Sequence, residues 1–506
     1  MSSVICDHPP LKARRLGLFT HDQAVVIMRT DCPACHSAGL SSRSHVQVYA
    51  GDRSVYAELL QIDSDLLALD TIGLSQTAWD LLGVEEGDPV EVTHPPALTS
   101  LSHIRSRIYG NRFDYNGLSA IIDDVVARRY TDVHLAAFLT ASATPPLDTQ
   151  ETIYLTKAMI GAGERLNWNK DIVLDKHCVG GLPGNRTTPL VVAIVTAHGL
   201  TMPKTSSRAI TSPAGTADTM ETMTPVNLEL GKLKQVVKEQ GGCMAWGGAV
   251  QLSPADDVFI RIERDLDIDT EGQLVASVLS KKVAAGSTHV VIDIPVGPTA
   301  KVRSIEAADK LASMLTTVGK EFGLTVACLY TDGSQPVGNG IGPALEALDV
   351  LAVLRNEDGA PQDLRERAAV LAGAALEIGG AAEKGQGTAL ALATIADGRA
   401  WAKFRDICIA QGGLKIPEIA PHFYTVTAPA DGIVHNIDNR NLARVAKLAG
   451  APRSTGAGIR MEVRLGDHVR KGQSLFTIYA AAPGELTYAV EFANEAETLV
   501  DLQLTV

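Results

Sequence analysis

Aromatic residues are scarce in this chain, at 5% of 506 positions against 45% hydrophobic residues overall. Ala, Val, Leu and Gly must therefore build the core, as they do in helix-rich and α/β proteins. Basic charge is also short. The formal net charge of −13 excludes the basic face that a nucleic-acid binder needs, although a local loop of an acidic protein can still attract a small anion. Cysteine is too sparse and irregular for a disulfide framework. Cys6, Cys32, Cys35, Cys178, Cys243, Cys328 and Cys408 are odd in number and scattered, the pattern of reduced thiols. No apolar run approaches the ~18 residues of a membrane-spanning helix. The longest, Pro189 to Leu200, is too short and contains His198. Residues 1–20 hold no apolar stretch with a cleavage site, so no signal peptide is read and the cytoplasm is the expected location.

Cys32-Pro33-Ala34-Cys35-His36 matches the attachment pattern of c-type haem, but that chemistry needs an exported chain. As a zinc site it supplies two of four ligands, leaving His36, His45 or His21 to complete the set. The expectation is inert thiols and no metal. A metal or redox scaffold on Cys32 and Cys35 is the non-enzymatic alternative.

A chain of this length suggests two to four domains. Residues 1–97 read as a small β-rich domain, with strands at Val46–Tyr49 and Val90–Val92 and Pro95-Pro96 as its end. Residues 98–164 read as helical. Leu118–Ala127 carries apolar residues at helical spacing, Asp132 can cap Val133–Ala141, and Asp148 can cap a helix running through Met159. Residues 165–415 alternate short apolar runs (Ile172–Leu174, Val290–Ile294, Thr325–Tyr330) with longer helical ones, which predicts an α/β sheet with ligand loops at strand ends. In residues 416–506, glycines punctuate short strands.

Two stretches carry the chemistry: residues 175–188, DKHCVGGLPGNRTT, and residues 204–221, KTSSRAITSPAGTADTME. Both are crowded with Gly, Ser and Thr, and each carries cations. Gly lets the backbone approach closely, hydroxyls and main-chain N–H groups donate, and Lys or Arg supplies positive charge. Two such loops about thirty residues apart suit a bound phosphate.

The second stretch resembles the signature of the thymidine/pyrimidine-nucleoside phosphorylases. Its wording is more like that of the AMP phosphorylases and the bacterial type 2 thymidine phosphorylases. The resemblance continues through Gly272–Lys282, Asp332–Pro336 and Gly340–Glu346, and covers nearly the whole chain beyond about residue 10. It implies a multidomain α/β protein: an N-terminal β-rich domain like that of AMP phosphorylases, a small α domain forming a homodimer contact, an α/β catalytic domain of the nucleoside phosphorylase/phosphoribosyltransferase type, and a C-terminal barrel-sandwich hybrid. That last domain lacks the Met-Lys-Met-like motif of a biotinyl carrier, so a structural or assembly role is expected.

The activity implied is phosphorolysis of a nucleoside or nucleoside 5′-monophosphate, with inorganic phosphate as a substrate and no cofactor. Lys176 is placed at the mouth of the first loop, where its family counterpart binds phosphate. Thr188, Ser206 and Thr216 match phosphate-binding hydroxyls, and Cys178 stands where the family usually has Ser, a better donor. His177 is a candidate for base or sugar contact, and Gly180 and Gly181 for close approach of substrate to the main chain. In AMP phosphorylases the segment matching Ser207, Arg208, Ala209, Ile210, Thr211 and Ser212, with Thr216, contacts the nucleotide. Arg208 would pair with a 5′-phosphate through its planar fork. Asp269 matches the proton donor, a role that needs a raised pKa. Ser277 and Lys281, four apart on one helix face, match the pair that grips the base, with Arg264 as third member. The interval from Arg264 to Ser277 is two residues shorter than in the thymidine enzymes. Lys301 matches a nucleotide-contacting lysine. A phosphoribosyltransferase of the same fold would need ligands for diphosphate and magnesium, and these loops carry single acidic residues rather than a carboxylate pair.

Overall fold

The computed structural model describes residues 10–504 except 21, 22, 43, 210, 211, 251, 267, 269, 497 and 498, and does not describe the side chains of residues 37, 38, 249 and 264. The chain forms two compact units. One holds the residues up to Ser102 together with Ala127–Thr131; the other holds His103–Val126 and everything from Asp132 onward.

In the first unit, β1 (Leu11–Arg15), β2 (Val25–Arg29), β3 (His45–Ala50), β4 (Arg53–Ile62), β5 (Thr71–Leu74) and β6 (Pro89–Thr93) close into a barrel of order β1-β5-β2-β4-β3-β6, with helices α1 (Pro33–Ala38) and α2 (Gln76–Leu82). Alternation of Val46, Val48, Val55, Ala57 and Leu59 fills the interior. Cys32 and Cys35 are buried there, and the Cys35 thiol lies 3.9 Å from Met28 Sδ. Among the described residues no group of three or more His, Cys, Asp or Glu is placed to hold a metal.

Helices α3 (Leu101–Ile108), α4 (Tyr115–Val126), α5 (Asp132–Ala143) and α6 (Thr149–Gly161) follow. Asp148 caps α6 with a full capping box to Glu151. Asp132 opens α5, and its carboxylate takes the guanidinium of Arg261 at 2.6 and 2.9 Å.

Next come β7 (Leu174–Cys178), α7 (Thr188–Ala197), β8 (Met202–Ser206), α8 (Thr216–Glu221), α9 (Leu230–Gln240), β9 (Gly242–Trp246), α10 (Pro254–Leu266), α11 (Glu271–Ala284), β10 (His289–Val296), α12 (Ile305–Glu321), β11 (Thr325–Asp332), β12 (Gly340–Ile341) and α13 (Pro343–Leu354), then α14 (Gln362–Ile378), α15 (Gly387–Ala396) and α16 (Arg399–Gln411). Strands β11-β10-β7 form one parallel sheet and β8-β9 a parallel pair. Helix α7 is apolar on every side and buried from Thr188 through Thr196, as such a helix must be; it accounts for the longest apolar run. Among the described residues no helix is long and apolar enough to cross a membrane.

The sequence reading placed residues 175–178 and 204–206 in loops. They are strand residues instead, because their charges are paired internally and their backbones are satisfied by neighbouring strands. The last segment comprises β13 (His422–Thr427), β14 (Gly432–Ile437), α17 (Asn439–Leu448), β15 (Gly458–Met461), β16 (His468–Val469), β17 (Ser474–Ala480), α18 (Pro483–Glu495) and β18 (Val500–Leu504). It makes two antiparallel sheets, of order β12-β15-β17-β13 and β16-β14-β18. The first of them takes in β12, which directly precedes α13.

Candidate active site

Parallel strands end their carboxyl termini on one edge, where loops collect ligands. The segment 179–187 leaves β7 at that edge, and the segment 207–215 leaves β8. Both loops need glycine where it occurs. Gly181 has φ +81°, and a Cβ there would sit 2.3 Å from the backbone N of Lys301, so this turn admits no side chain.

Alternation along β7 sends its polar groups to two sides. On one side Asp175 is buried between two cations, with Lys204 Nζ at 3.0 Å from β8 and Lys282 Nζ at 2.7 Å from α11. Burial alone would raise this carboxyl, but the two ammonium groups outweigh it and hold it below the ordinary range. Burial pulls Lys282 down to about 7, against the pull of Asp175. His177, on the same side, is pushed well below its ordinary value by burial and by Lys282, Lys204, Lys281 and Lys176, so its imidazole is neutral.

On the other side Lys176 donates to Thr187 Oγ1 at 2.8 Å and lies 3.7 Å from Asp293. Its side chain is 1% exposed, so it is not at the mouth of a loop but beneath it. Asp293, in the central strand β10, accepts from Thr331 Oγ1 at 2.6 Å and from Asn185 Nδ2 at 3.2 Å; the same Nδ2 lies 3.4 Å from Cys178 Sγ. Burial, with Asp293 adding, pushes the Cys178 thiol up to about 12, so it stays protonated.

The second loop is tied to the first by Arg186. Its guanidinium donates to Thr216 Oγ1 at 2.8 Å, to Ala214 O at 2.9 Å and to Glu346 Oε2 at 2.7 Å. Because Thr216 accepts from a cation, its own proton is left to donate elsewhere. Thr188 is buried at the start of α7. Ser206 lies two residues beyond Lys204 on β8, hence on the same face. Its Oγ is buried with no partner among the described residues.

Arg208 does not offer a free fork. Glu221 takes it at 2.5 and 2.8 Å, Asp218 lies at 3.3 Å, and the guanidinium packs 5.1 Å over the Trp246 ring. Asp218 also accepts from Ala209 N and Gly215 N, bracing the loop that carries Ser207 and Ser212. Ile210, Thr211 and Asp269 lie outside the described residues, as does the side chain of Arg264. Ser277 and Lys281 do meet: Lys281 Nζ is 3.1 Å from Ser277 Oγ, with Asp256 at 2.7 Å neutralising the ammonium. Lys301 follows a turn braced on Gly181. Burial of its ammonium lowers it to about 8, with Glu263 opposing. Glu263 itself is pushed up to about 7 by burial and by Asp256, against Lys301 and Lys281.

Sequence reasoning missed Asp175, Lys204, Lys282, Arg186, Asp256, Asp293, Glu263 and Glu346. The signals were an Asp directly before Lys176 and a Lys-Lys doublet; nothing local marked Glu346.

The fold and the relatives of this chain together define a pentose-transferring enzyme. Residues 101–163 match the helical bundle domain of a glycosyl transferase family, residues 170–401 its a/b domain, and residues 433–499 the pyrimidine nucleoside phosphorylase C-terminal domain. The chain is 63% identical over 498 residues to a protein of Chelativorans sp. (strain BNC1) named "Putative thymidine phosphorylase", covering 98% of both chains. It is 61% identical over 495 residues to one of the same name from Parvibaculum lavamentivorans, again covering 98% of each. The crystal structure of anthranilate phosphoribosyltransferase from Thermus thermophilus superposes with a TM-score of 0.50 at 19% identity, covering 61% of this chain and 99% of that one; it shares the fold. The chain belongs to the thymidine/pyrimidine-nucleoside phosphorylase family of pentosyltransferases.

Proposed function

We propose that the protein cleaves the N-glycosidic bond of a nucleoside or nucleoside 5′-monophosphate with inorganic phosphate. The products are the free base and a (deoxy)ribose 1-phosphate, or a ribose 1,5-bisphosphate from a nucleotide. The observation that carries this reading is the buried Ser206 hydroxyl, without a partner among the described residues, on the face of β8 that also bears Lys204. A ligand would satisfy that hydroxyl, and Lys204 on the same strand face favours an anion.

In this reading the Ser206, Thr216 and Thr188 hydroxyls and the main chain at Gly181 hold phosphate. Lys176, Lys204 and Lys282 supply a field that is strong because the surroundings are dry. A phosphate oxygen forms the new bond to C1′ as the C1′–N bond breaks and its electron pair leaves with the base. Asp269 is the proposed proton donor to that base. His177, being neutral, suits a hydrogen bond to sugar or base rather than charge donation. Ser277 and Lys281, with Arg264, are the proposed base contacts, and Lys301 the proposed contact to the sugar or its 5′-phosphate.

The AMP-type wording of residues 207–212 favours a nucleotide, whereas the capture of Arg208 by Glu221 favours a nucleoside. A cytoplasmic homodimer is part of the proposal and rests on the family resemblance. The deciding experiment is base release with inorganic phosphate from thymidine, uridine, AMP, CMP and UMP in parallel. Phosphate-dependent release from at least one of them is expected. Release from none would overturn the reading.

A further inference from the structure

We propose that Arg186 and Glu346 are positioning residues that fix the separation of the two oxyanion loops, and that affinity for phosphate depends on them. This rests on the reading of those loops as a phosphate site.

Arg186 belongs to the first loop, yet its guanidinium reaches the second at Ala214 O and the first residue of α8 at Thr216 Oγ1. Left alone, a guanidinium in that position could swing between partners. Glu346 removes the freedom by taking Nε at 2.7 Å and Nη2 at 2.6 Å. The pair is dry: the side chains are 12% and 1% exposed. Glu346 is fixed in turn. Its Oε1 accepts from Gly342 N at 3.1 Å, and Thr219 Oγ1, on α8, lies 3.4 Å from Oε2.

The start of α13 is itself pinned from the C-terminal region. Ala344 N donates to Thr455 O at 2.9 Å, and β12 pairs with β15 through Gly340 with Arg460 and Ile341 with Ile459. At Gly342 a Cβ would meet Ala457 O at 2.4 Å, so the approach is as close as backbone allows. One carboxylate thus joins a rigid anchor to both loops. The consequence is chemical as well as mechanical. With its lone pair engaged by Arg186, the Thr216 hydroxyl is oriented to donate; without Arg186 it can rotate and donate to the protein instead. A buried ion pair of purely structural use would alter stability alone, or both substrates equally.

The test uses the full-length protein with the variants Glu346→Gln, Glu346→Asp, Arg186→Lys and the double Glu346→Gln/Arg186→Lys. Lysine keeps the charge but cannot span three acceptors. Binding of inorganic phosphate is measured by calorimetry, together with KM for phosphate and for nucleoside, and a thermal melt confirms folding. Displacing a positioned group weakens binding sharply, so phosphate Kd should rise about tenfold in the Gln and Lys variants, while KM for nucleoside moves by less than about twofold. The double variant should be no worse than the poorer single one, and Glu346→Asp, which folds with the charge kept, should recover part of the loss. Unchanged phosphate affinity in folded variants, or equal losses for both substrates, would overturn the proposal. A wild-type protein that binds phosphate without phosphorolysis faults the reaction and leaves the binding comparison to decide. A wild type that binds no phosphate overturns both.

Discussion

The Asp175 carboxylate on β7 holds the Lys282 ammonium of α11 at 2.7 Å, with Lys204 from β8 at 3.0 Å on its other oxygen. Three elements meet at one buried negative charge. Removing that charge strands two ammonium groups in a dry interior, and breaking a buried pair this way costs about 3–5 kcal/mol. Asp175→Asn should lower stability by that order in denaturant unfolding. Lys282→Met should cost clearly less, because Asp175 keeps Lys204 and a buried ammonium is removed with its desolvation cost. Equal losses would show that Lys204 does not compensate.

Cys178 offers a gain rather than a loss. Its thiol stays protonated and sits 3.4 Å from Asn185 Nδ2, and a stronger donor there would suit the proposed phosphate. Cys178→Ser changes little volume. If the side chain faces phosphate, its KM should fall, by about twofold to fivefold for one modest hydrogen bond. A rise in KM for phosphate would place the thiol in packing rather than in binding.

How much of this was legible follows from the range of each interaction. The capping box from Asp148 to Glu151 spans three residues, and the sequence announces it. The strands around Val290–Ile294 and Thr325–Tyr330 are apolar and likewise plain. Residues 175–178 and 204–206 hid their strand character because Asp175, Lys176 and Lys204 are polar. Only partners from other elements make them fit a core. Glu346 lies 160 residues from Arg186, and no local pattern links them. Strand β12 is two residues long and joins a sheet made of later sequence. The glycine and hydroxyl content of the loops was readable because it is local; the clamp between them was not.

Arg208 gives a test of substrate choice. Its fork is bound by Glu221, whose carboxyl is held below the ordinary range first by that hydrogen bond. A 5′-phosphate recruited by Arg208 must therefore displace Glu221. Glu221→Gln weakens the competitor without touching the arginine. The ratio of kcat/KM for a nucleoside monophosphate to that for its nucleoside should rise, by about fivefold to tenfold for one charge-assisted contact. Arg208→Leu should abolish that gain in the double variant. An unchanged ratio would assign the 5′-phosphate to another cation.

Lys301 is the natural other cation, and its titration can be read directly. Its ammonium is lowered to about 8 by burial, while Glu263, itself raised to about 7 by burial and by Asp256, opposes that lowering. The sign follows. Lys301 is charged below its pKa, so an oxyanion contact through it is present at pH 7 and lost as pH rises through about 8. Glu263 is ionised in most molecules above about pH 7, and its negative charge keeps Lys301 protonated there. Lys281 is paired with Asp256, and Cys178 stays protonated to about 12. Removing the carboxylate in Glu263→Gln should therefore move the alkaline limb of kcat/KM to lower pH, by up to about one unit for a single neighbouring charge. Lys301→Met should erase that limb while lowering activity at neutral pH. A pH profile of the two variants beside the wild type checks both; an alkaline limb that persists in Lys301→Met would assign it to a different group.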